Sequence, residues 1–200
     1  MNYPKALLPV GNETMLQRVV RHISRIVSPV AVIASPGQEL PALPRDVCVY
    51  FDREPQGGPL TAIGLGLEVM QGQCDAVFVS ACDTPLIEEA VVQKLISILE
   101  GHQLAIVREE GRYHPLTAVY RTSLLETIQD LLRQDIRRAI DLVERVPAAF
   151  LERQELRHID PELRSLRNIN TRHQYWDLLR EIGLADSTSS PFGDEHSVNG

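Results

Sequence analysis

One segment of the chain delivers an acid to a place where chemistry is done. Ala76-Val-Phe-Val-Ser-Ala-Cys-Asp83-Thr-Pro85 reads as a buried strand that ends on an aspartate and is then stopped by proline. Ligands of open α/β sheets bind outside the carboxyl ends of the strands, so Asp83 projects toward them. An oxygen ligand there suits Mg²⁺, which is usually held by one or two carboxylates plus substrate phosphates. The competing account is an aspartate that caps the next helix. Asp52 closes the apolar run Val47–Phe51 in the same way, and Gln56-Gly-Gly-Pro-Leu60-Thr-Ala62 follows it. Paired glycines let a backbone approach a ligand closely, and a helix N-terminus favours anionic groups. A tight turn between strand and helix would use the same residues. Two strand-end acids beside a glycine turn are expected to converge on one rim.

Other candidates have plainer accounts. Lys5, in Lys5-Ala-Leu-Leu-Pro-Val10, reads as a solvated lysine, as do Arg137, Arg138 and the scattered histidines as solvated groups. In Asn168-Ile-Asn170-Thr171, either Asn170 or Thr171 suits the N-cap of a last helix. Cys82 reads as a small buried hydrophobe. No Ser/His/Asp set points to a nucleophile, and no histidine cluster points to zinc.

The elements that must position these residues alternate. Val30–Ala34, Val47–Phe51 and Ala76–Ser80 are short, β-branched and apolar throughout, the pattern of strands buried on both faces. Between them Met15–Val27, Leu60–Met70 and Glu88–Leu99 carry helical spacing, and Thr14 with Gln17 forms a capping box for the first. Strands are expected at Leu104–Val107 and Thr117–Tyr120, and helices at Ser123–Leu132, Ile136–Val143 and from Thr171 through Ile182. The fold class is therefore α/β, a doubly wound and mostly parallel sheet. One domain over 1–184 and a disordered tail over 185–200 are expected. Such a fold normally opens with a central strand and a glycine-rich turn, whereas Met1-Asn-Tyr-Pro-Lys5 leads almost directly into a helix. The first strand is expected to be missing.

Composition removes several classes. Twenty basic against 27 acidic residues leave a net charge of −7, which repels a nucleic-acid backbone. No run reaches the roughly 18 apolar residues of a membrane span, and the first fifteen residues carry no signal-peptide pattern. Three cysteines with no CxxC are cytoplasmic usage and exclude a thiolate metal site.

Taken together, the strings resemble the molybdenum-cofactor nucleotidyltransferases, the MobA guanylyltransferase and MocA-type cytidylyltransferase group of the nucleotide-diphospho-sugar transferase-like fold. Met1-Asn-Tyr-Pro-Lys5 has the spacing of the end of that family's LAGGxSxRMGxxK loop, with Asn2 in place of glycine. Leu8-Pro-Val-Gly11, Thr14-Met-Leu-Gln-Arg-Val-Val20 and Val30-Ala-Val-Ile-Ala-Ser-Pro-Gly-Gln38 follow in order. Asp52 with Gly58-Pro59-Leu60 resembles D…GPL, and Ala81-Cys-Asp-Thr-Pro85 resembles CDTP. His114-Pro-Leu-Thr-Ala-Val-Tyr-Arg121 resembles (Q/H)PLxAxY, and Asn168-Ile-Asn-Thr171 resembles NxNTPxD, with Arg172 where proline is usual.

The resemblance implies transfer of a nucleoside monophosphate from GTP to a phosphorylated acceptor, a molybdopterin, with release of pyrophosphate. Transfer from CTP, and a non-catalytic protein that keeps the fold for a partner, are the alternatives. It further implies Mg²⁺ on Asp83, with Lys5 and Asp83 catalytic. Nucleotide contacts are implied at Lys5, Asp52, Gly58, Pro59, Leu60 and Asp83, and Asn168 and Asn170 are placed near acceptor or metal. Sugar or isoprenoid phosphates are further acceptor classes, and a protein that delivers or accepts the cofactor is an implied partner; nucleic acid and membrane are not. A chain without the LAGGxSxR segment is expected to be poorly soluble and not to bind NTP, and about twenty upstream residues are expected to restore both.

Overall fold

The structure, a computed structural model, describes residues 3–52, 57–185, 188 and 190–192. A 3-10 turn at Lys5–Leu7 leads into a small antiparallel pair, β1 (Pro9–Val10) and β2 (Glu13–Thr14), and then helix α1 (Met15–Ile23). β3 (Ala31–Ala34) and β4 (Cys48–Phe51) follow, then α2 (Gly58–Met70), β5 (Ala76–Ser80) and α3 (Glu89–Ile98). The second half runs β6 (Leu104–Glu109), β7 (Arg112–Arg121), α4 (Leu125–Arg133), α5 (Ile140–Val143), β8 (Ala148–Glu152), α6 (Arg153–Ile159) and α7 (Arg172–Glu181).

The capping box predicted for α1 is present: the Thr14 hydroxyl accepts from the Gln17 N–H at 3.3 Å, and the Gln17 side chain accepts from the Thr14 N–H at 2.7 Å. The helix ends at Ile23 rather than Val27. Ser28 precedes Pro29, and a residue before proline is pushed out of the helical region, so the last residues unwind into turns.

The sheet is mixed. β3 and β4 pair parallel, while a four-stranded sheet has the order β5-β7-β6-β8, with β7 antiparallel to both neighbours and β8 parallel to β6. The antiparallel strand arises because Glu110 and Gly111, both at positive φ (49° and 82°), close a two-residue hairpin between β6 and β7. β7 is more than twice as long as its Thr117–Tyr120 core predicts, because Pro115 masks the pattern. That proline is accommodated where the β6–β7 register shifts between Ile106 and Val107, and its carbonyl accepts from the Tyr120 hydroxyl at 2.8 Å. β8 and α6 were not anticipated. Ala148-Ala-Phe-Leu-Glu152 is weak in β-formers, and its pairing to the apolar β6 makes it a strand.

Alternate residues of β6 and β7 enter two cores, as a doubly wound fold requires. Leu104, Ile106, Ala118 and Tyr120 pack with α2 and α4, while Ala105, Val107 and Val119 pack with α3 and α6. A third core joins Leu8, Val10 and Met15 to α7 through Ile169, Tyr175 and Leu178. Most of the predicted tail lies outside the described residues. The described part packs: Phe192 meets Tyr3 and Tyr175 edge-on, and the Thr188 hydroxyl accepts from the Gly11 N–H at 3.2 Å.

One seam of the molecule is open. Among the described residues β3 pairs only with β4 and β5 only with β7, and both strands line one cavity of about 850 Å³. Ala31–Ile33 and all of β5 are consequently half-buried, where burial on both faces was expected.

Candidate active site

β5 stops at Ser80, and the chain turns sharply. The Thr84 hydroxyl, almost fully buried, donates to the Ala81 carbonyl at 2.8 Å and lies 3.0 Å from the Ser80 hydroxyl. The Asp83 carbonyl accepts from the Ile169 N–H at 2.9 Å. Asp83 is thereby held from both sides and is only 8% exposed. It does not cap a helix; its carboxylate meets two side chains. Oδ2 accepts from the Lys5 ammonium at 2.7 Å, and Oδ1 accepts from the Asn168 amide at 2.7 Å. The same ammonium donates to the Asn170 side-chain carbonyl. Lys5, Asp83, Asn168 and Asn170 therefore form one hydrogen-bonded cluster, built from segments far apart in sequence.

Lys5 is not the solvated lysine its neighbours suggest. The 3-10 turn that carries it is pinned by Ala6 and Leu8, both buried, and the Leu8 carbonyl accepts from the Met15 N–H at 2.7 Å. The asparagines are placed by α7. Its N-cap, Thr171, accepts from the Gln174 N–H at 3.1 Å, while the Gln174 side chain accepts from the N–H groups of Asn170 at 2.8 Å and Thr171 at 3.0 Å. Ile169 between the asparagines is buried, so both neighbours face away from the core.

A supporting bracket escaped the sequence reading. Asp160, nearly inaccessible, accepts from the N–H groups of Arg164 at 2.9 Å and Ser165 at 2.8 Å, and the Ser165 hydroxyl accepts from the Glu88 N–H at 2.9 Å. It fastens the loop before Asn168 to the start of α3. The signal was Asp160-Pro161, a dipeptide that favours turns.

The other expected site residues lie along the β4–α2 connection. The Asp52 N–H donates to the Ala34 carbonyl at 2.8 Å, which sets Asp52 where β3 and β4 end together. Gln56 lies outside the described residues. Gly58 sits at φ +76°, and a Cβ there would lie 3.2 Å from the Arg137 carbonyl, so the turn needs glycine. Pro59 is exposed on the first turn of α2 and lines the cavity. Leu60 is wholly buried in the α2 core, so what it can offer a ligand is main chain. Cys82 packs against the α1 core, and burial pushes its thiol up, which keeps it protonated and unreactive.

Chemically the cluster combines a fixed carboxylate, a fixed cation and two amides. Among the described residues no group of three or more His, Cys, Asp or Glu side chains could enclose a metal ion. A hard divalent cation would fit here only as a shared one, held by Asp83 and by the oxygens of a bound phosphate. Among the described residues, no helix is long and apolar enough to cross a membrane.

Comparison with known proteins gives the site a context. Residues 1–149 match the family described as the MobA-like NTP transferase domain. A probable molybdenum cofactor guanylyltransferase of Methanosarcina acetivorans is 34% identical over 178 residues, 84% of this chain and 78% of that protein. The molybdopterin-guanine dinucleotide biosynthesis protein A of Archaeoglobus fulgidus has a similar structure, with a TM-score of 0.71 at 20% identity over 91% of each chain. The 2-C-methyl-D-erythritol 4-phosphate cytidylyltransferase of Thermus thermophilus gives a TM-score of 0.67 at 19% identity, over 90% of this chain and 94% of that one. These two likenesses show the fold.

Proposed function

The chain belongs to the MobA-like NTP transferase family, and from that premise we propose that it moves GMP from GTP onto the phosphate of a molybdopterin. An oxygen of the acceptor phosphate forms the new bond to the α-phosphorus, and the bond from that phosphorus to the bridging oxygen breaks. Pyrophosphate leaves with the bond pair. No residue needs to become covalently attached, so the protein's contribution is positioning and charge neutralisation. The observation that carries the reading is the buried Asp83 carboxylate, fixed at the end of β5 between Lys5 and Asn168.

Each residue then has a role. Asp83 would hold Mg²⁺ together with phosphate oxygens, and when bound that ion neutralises charge on the triphosphate. The Lys5 ammonium stands where it can exchange Asp83 for a phosphate oxygen. Asp52 and the main chain of Gly58–Leu60 serve the nucleoside. Asn168 and Asn170 orient acceptor or metal-bound oxygens by hydrogen bonds.

The reading is tested by incubating the protein with GTP, Mg²⁺ and molybdopterin and following pyrophosphate and dinucleotide together. Because Lys5 and Asp83 are already paired in this chain, pyrophosphate and dinucleotide are expected in equal amounts, in place of the loss of NTP binding expected from the sequence, with CTP a poorer donor by a modest factor. A melting temperature that rises with CTP and not with GTP would reverse the donor assignment. Nucleotide binding without any transfer would favour the non-catalytic alternative.

A further inference from the structure

We propose that β4 is the docking edge for a second copy of this chain, the two molecules pairing their β4 strands antiparallel about a two-fold axis through Tyr50. The ladder phase decides which main-chain groups are on offer. The Cys48 N–H donates to the Val30 carbonyl at 3.4 Å and the Asp52 N–H to the Ala34 carbonyl at 2.8 Å, so the even-numbered residues of β4 turn their main chain toward β3. Alternate residues of a strand offer their N–H and C=O groups to opposite sides, so Val49 and Phe51 turn theirs away from β3. Among the described residues β4 pairs with β3 alone, and β3, not β4, lines the seam cavity, which makes this the outer edge.

The edge is built to pair. Among the described residues the exposed large hydrophobic side chains are Val49, Phe51 and Ile96, and the first two stand two positions apart on one face of β4. Cys48 is exposed as well. Edge strands are commonly guarded by lysine, proline or a bulge, and Cys48-Val-Tyr-Phe51 has none of these. Outward main-chain groups beside exposed apolar side chains make a template for another strand.

Self-complementarity names the occupant. A two-fold axis normal to the sheet brings together residues that face the same way, so the allowed registers are those centred on a residue. Centred on Tyr50, Val49 of each copy lies opposite Phe51 of the other, and their outward N–H groups and carbonyls satisfy one another. The same pairing sets an aromatic ring against a β-branched side chain, and symmetry repeats it. The neighbouring registers are worse. Centred on Val49, Asp46 faces Asp52, a like-charge pair that symmetry also repeats. Centred on Cys48, the ladder needs the Val47 N–H, which is already given to the Pro44 carbonyl at 3.1 Å. A contact built on one short strand is small, so the dimer is weak and depends on concentration.

Sedimentation equilibrium on residues 1–200 tests this from about 10 μM to about 1 mM, the range in which so small a contact forms. The average mass is expected to rise from 22.4 kDa toward twice that value, and Phe51→Lys and Val49→Lys are each expected to hold it at 22.4 kDa. Both positions are exposed, so melting of these variants is expected to stay within a few degrees of wild type. Register is tested by Tyr50→Cys in a Cys48→Ser background, which sets one thiol opposite its symmetry mate at a Cα separation of about 4.5 Å, within disulfide reach. Oxidised glutathione is expected to link that protein into a covalent dimer and to leave wild type unlinked, since Cys48 lies about 13 Å along the ladder from its mate. A monomer across the whole range, a dimer that survives both lysine variants, or a Tyr50→Cys protein that links no faster than wild type would each overturn the proposal. None of these readouts depends on nucleotidyl transfer.

Discussion

Asp83 holds a charge in a place with little water, and its two partners decide what that charge does. Replacing Lys5 by Met removes the cation at 2.7 Å and leaves a largely buried carboxylate without it. Nucleotide affinity is expected to fall by a factor of ten to a hundred, matching about 1.5–3 kcal/mol for a charged hydrogen bond. Lys5→Arg keeps the charge but not the compact geometry, and calorimetric titration with GTP should rank it between wild type and Lys5→Met.

A second expectation concerns pH. Burial lowers the pKa of His114, whose Nε2 is 3.4 Å from a Glu109 oxygen but makes no hydrogen bond, and burial lowers His22 as well. The unfolded chain therefore takes up protons at these sites first as pH falls below about 6.5, and stability declines over that window. Melting at pH 5.5 should lie below melting at pH 7.5, and His114→Gln should flatten the difference. An unchanged slope would remove His114 from this account. At lower pH the hydrogen bond from Arg21 that holds Glu13 below its usual range is lost as Glu13 protonates, a further decline below about 4.5.

At the scale of elements, the capping box of α1 was legible because Thr14 and Gln17 at that spacing have one use at a helix start, while at α7 Thr171 was one of two N-cap candidates and the structure selects it. Thr171→Ala removes a cap beside Asn170 and is expected to cost about 1 kcal/mol, or about 2–4 °C of melting temperature. Thermal denaturation of that variant, with GTP binding measured alongside, separates the cap from the site it borders. The strands β3, β4 and β5 were legible from apolar runs, and Asp83 from its place after one of them. The length of β7 was hidden by Pro115, and β8 by its alanines. The partnership of Lys5 with Asp83 was hidden for a different reason. It is a contact across 78 positions, and local pattern leaves a lysine among leucines in solvent. Only the family resemblance marked that residue.

Across the whole molecule, the fold is a doubly wound sheet with a seam open between β3 and β5, and the Lys5–Asp83 cluster lies at one end of that seam. Lys5, Cys82, Asp83 and Asn168 line the same cavity as the strand edges. An apolar dye such as anilinonaphthalene sulfonate should therefore bind residues 1–200 strongly. Weak dye binding would mean that the apolar walls close on one another in solution.

In the proposed function the phosphorus–oxygen bond is exchanged at the cluster around Asp83. The most direct measurement is pyrophosphate release from GTP with Mg²⁺ and molybdopterin. The same assay is run on Asp83→Asn, with a melting curve recorded for each protein. Release by wild type is expected in step with dinucleotide formation. In the variant a loss of at least about a hundredfold is expected, as when a group that stabilises transition-state charge is removed, with melting within a few degrees. Wild-type rates from a folded Asp83→Asn protein would contradict it.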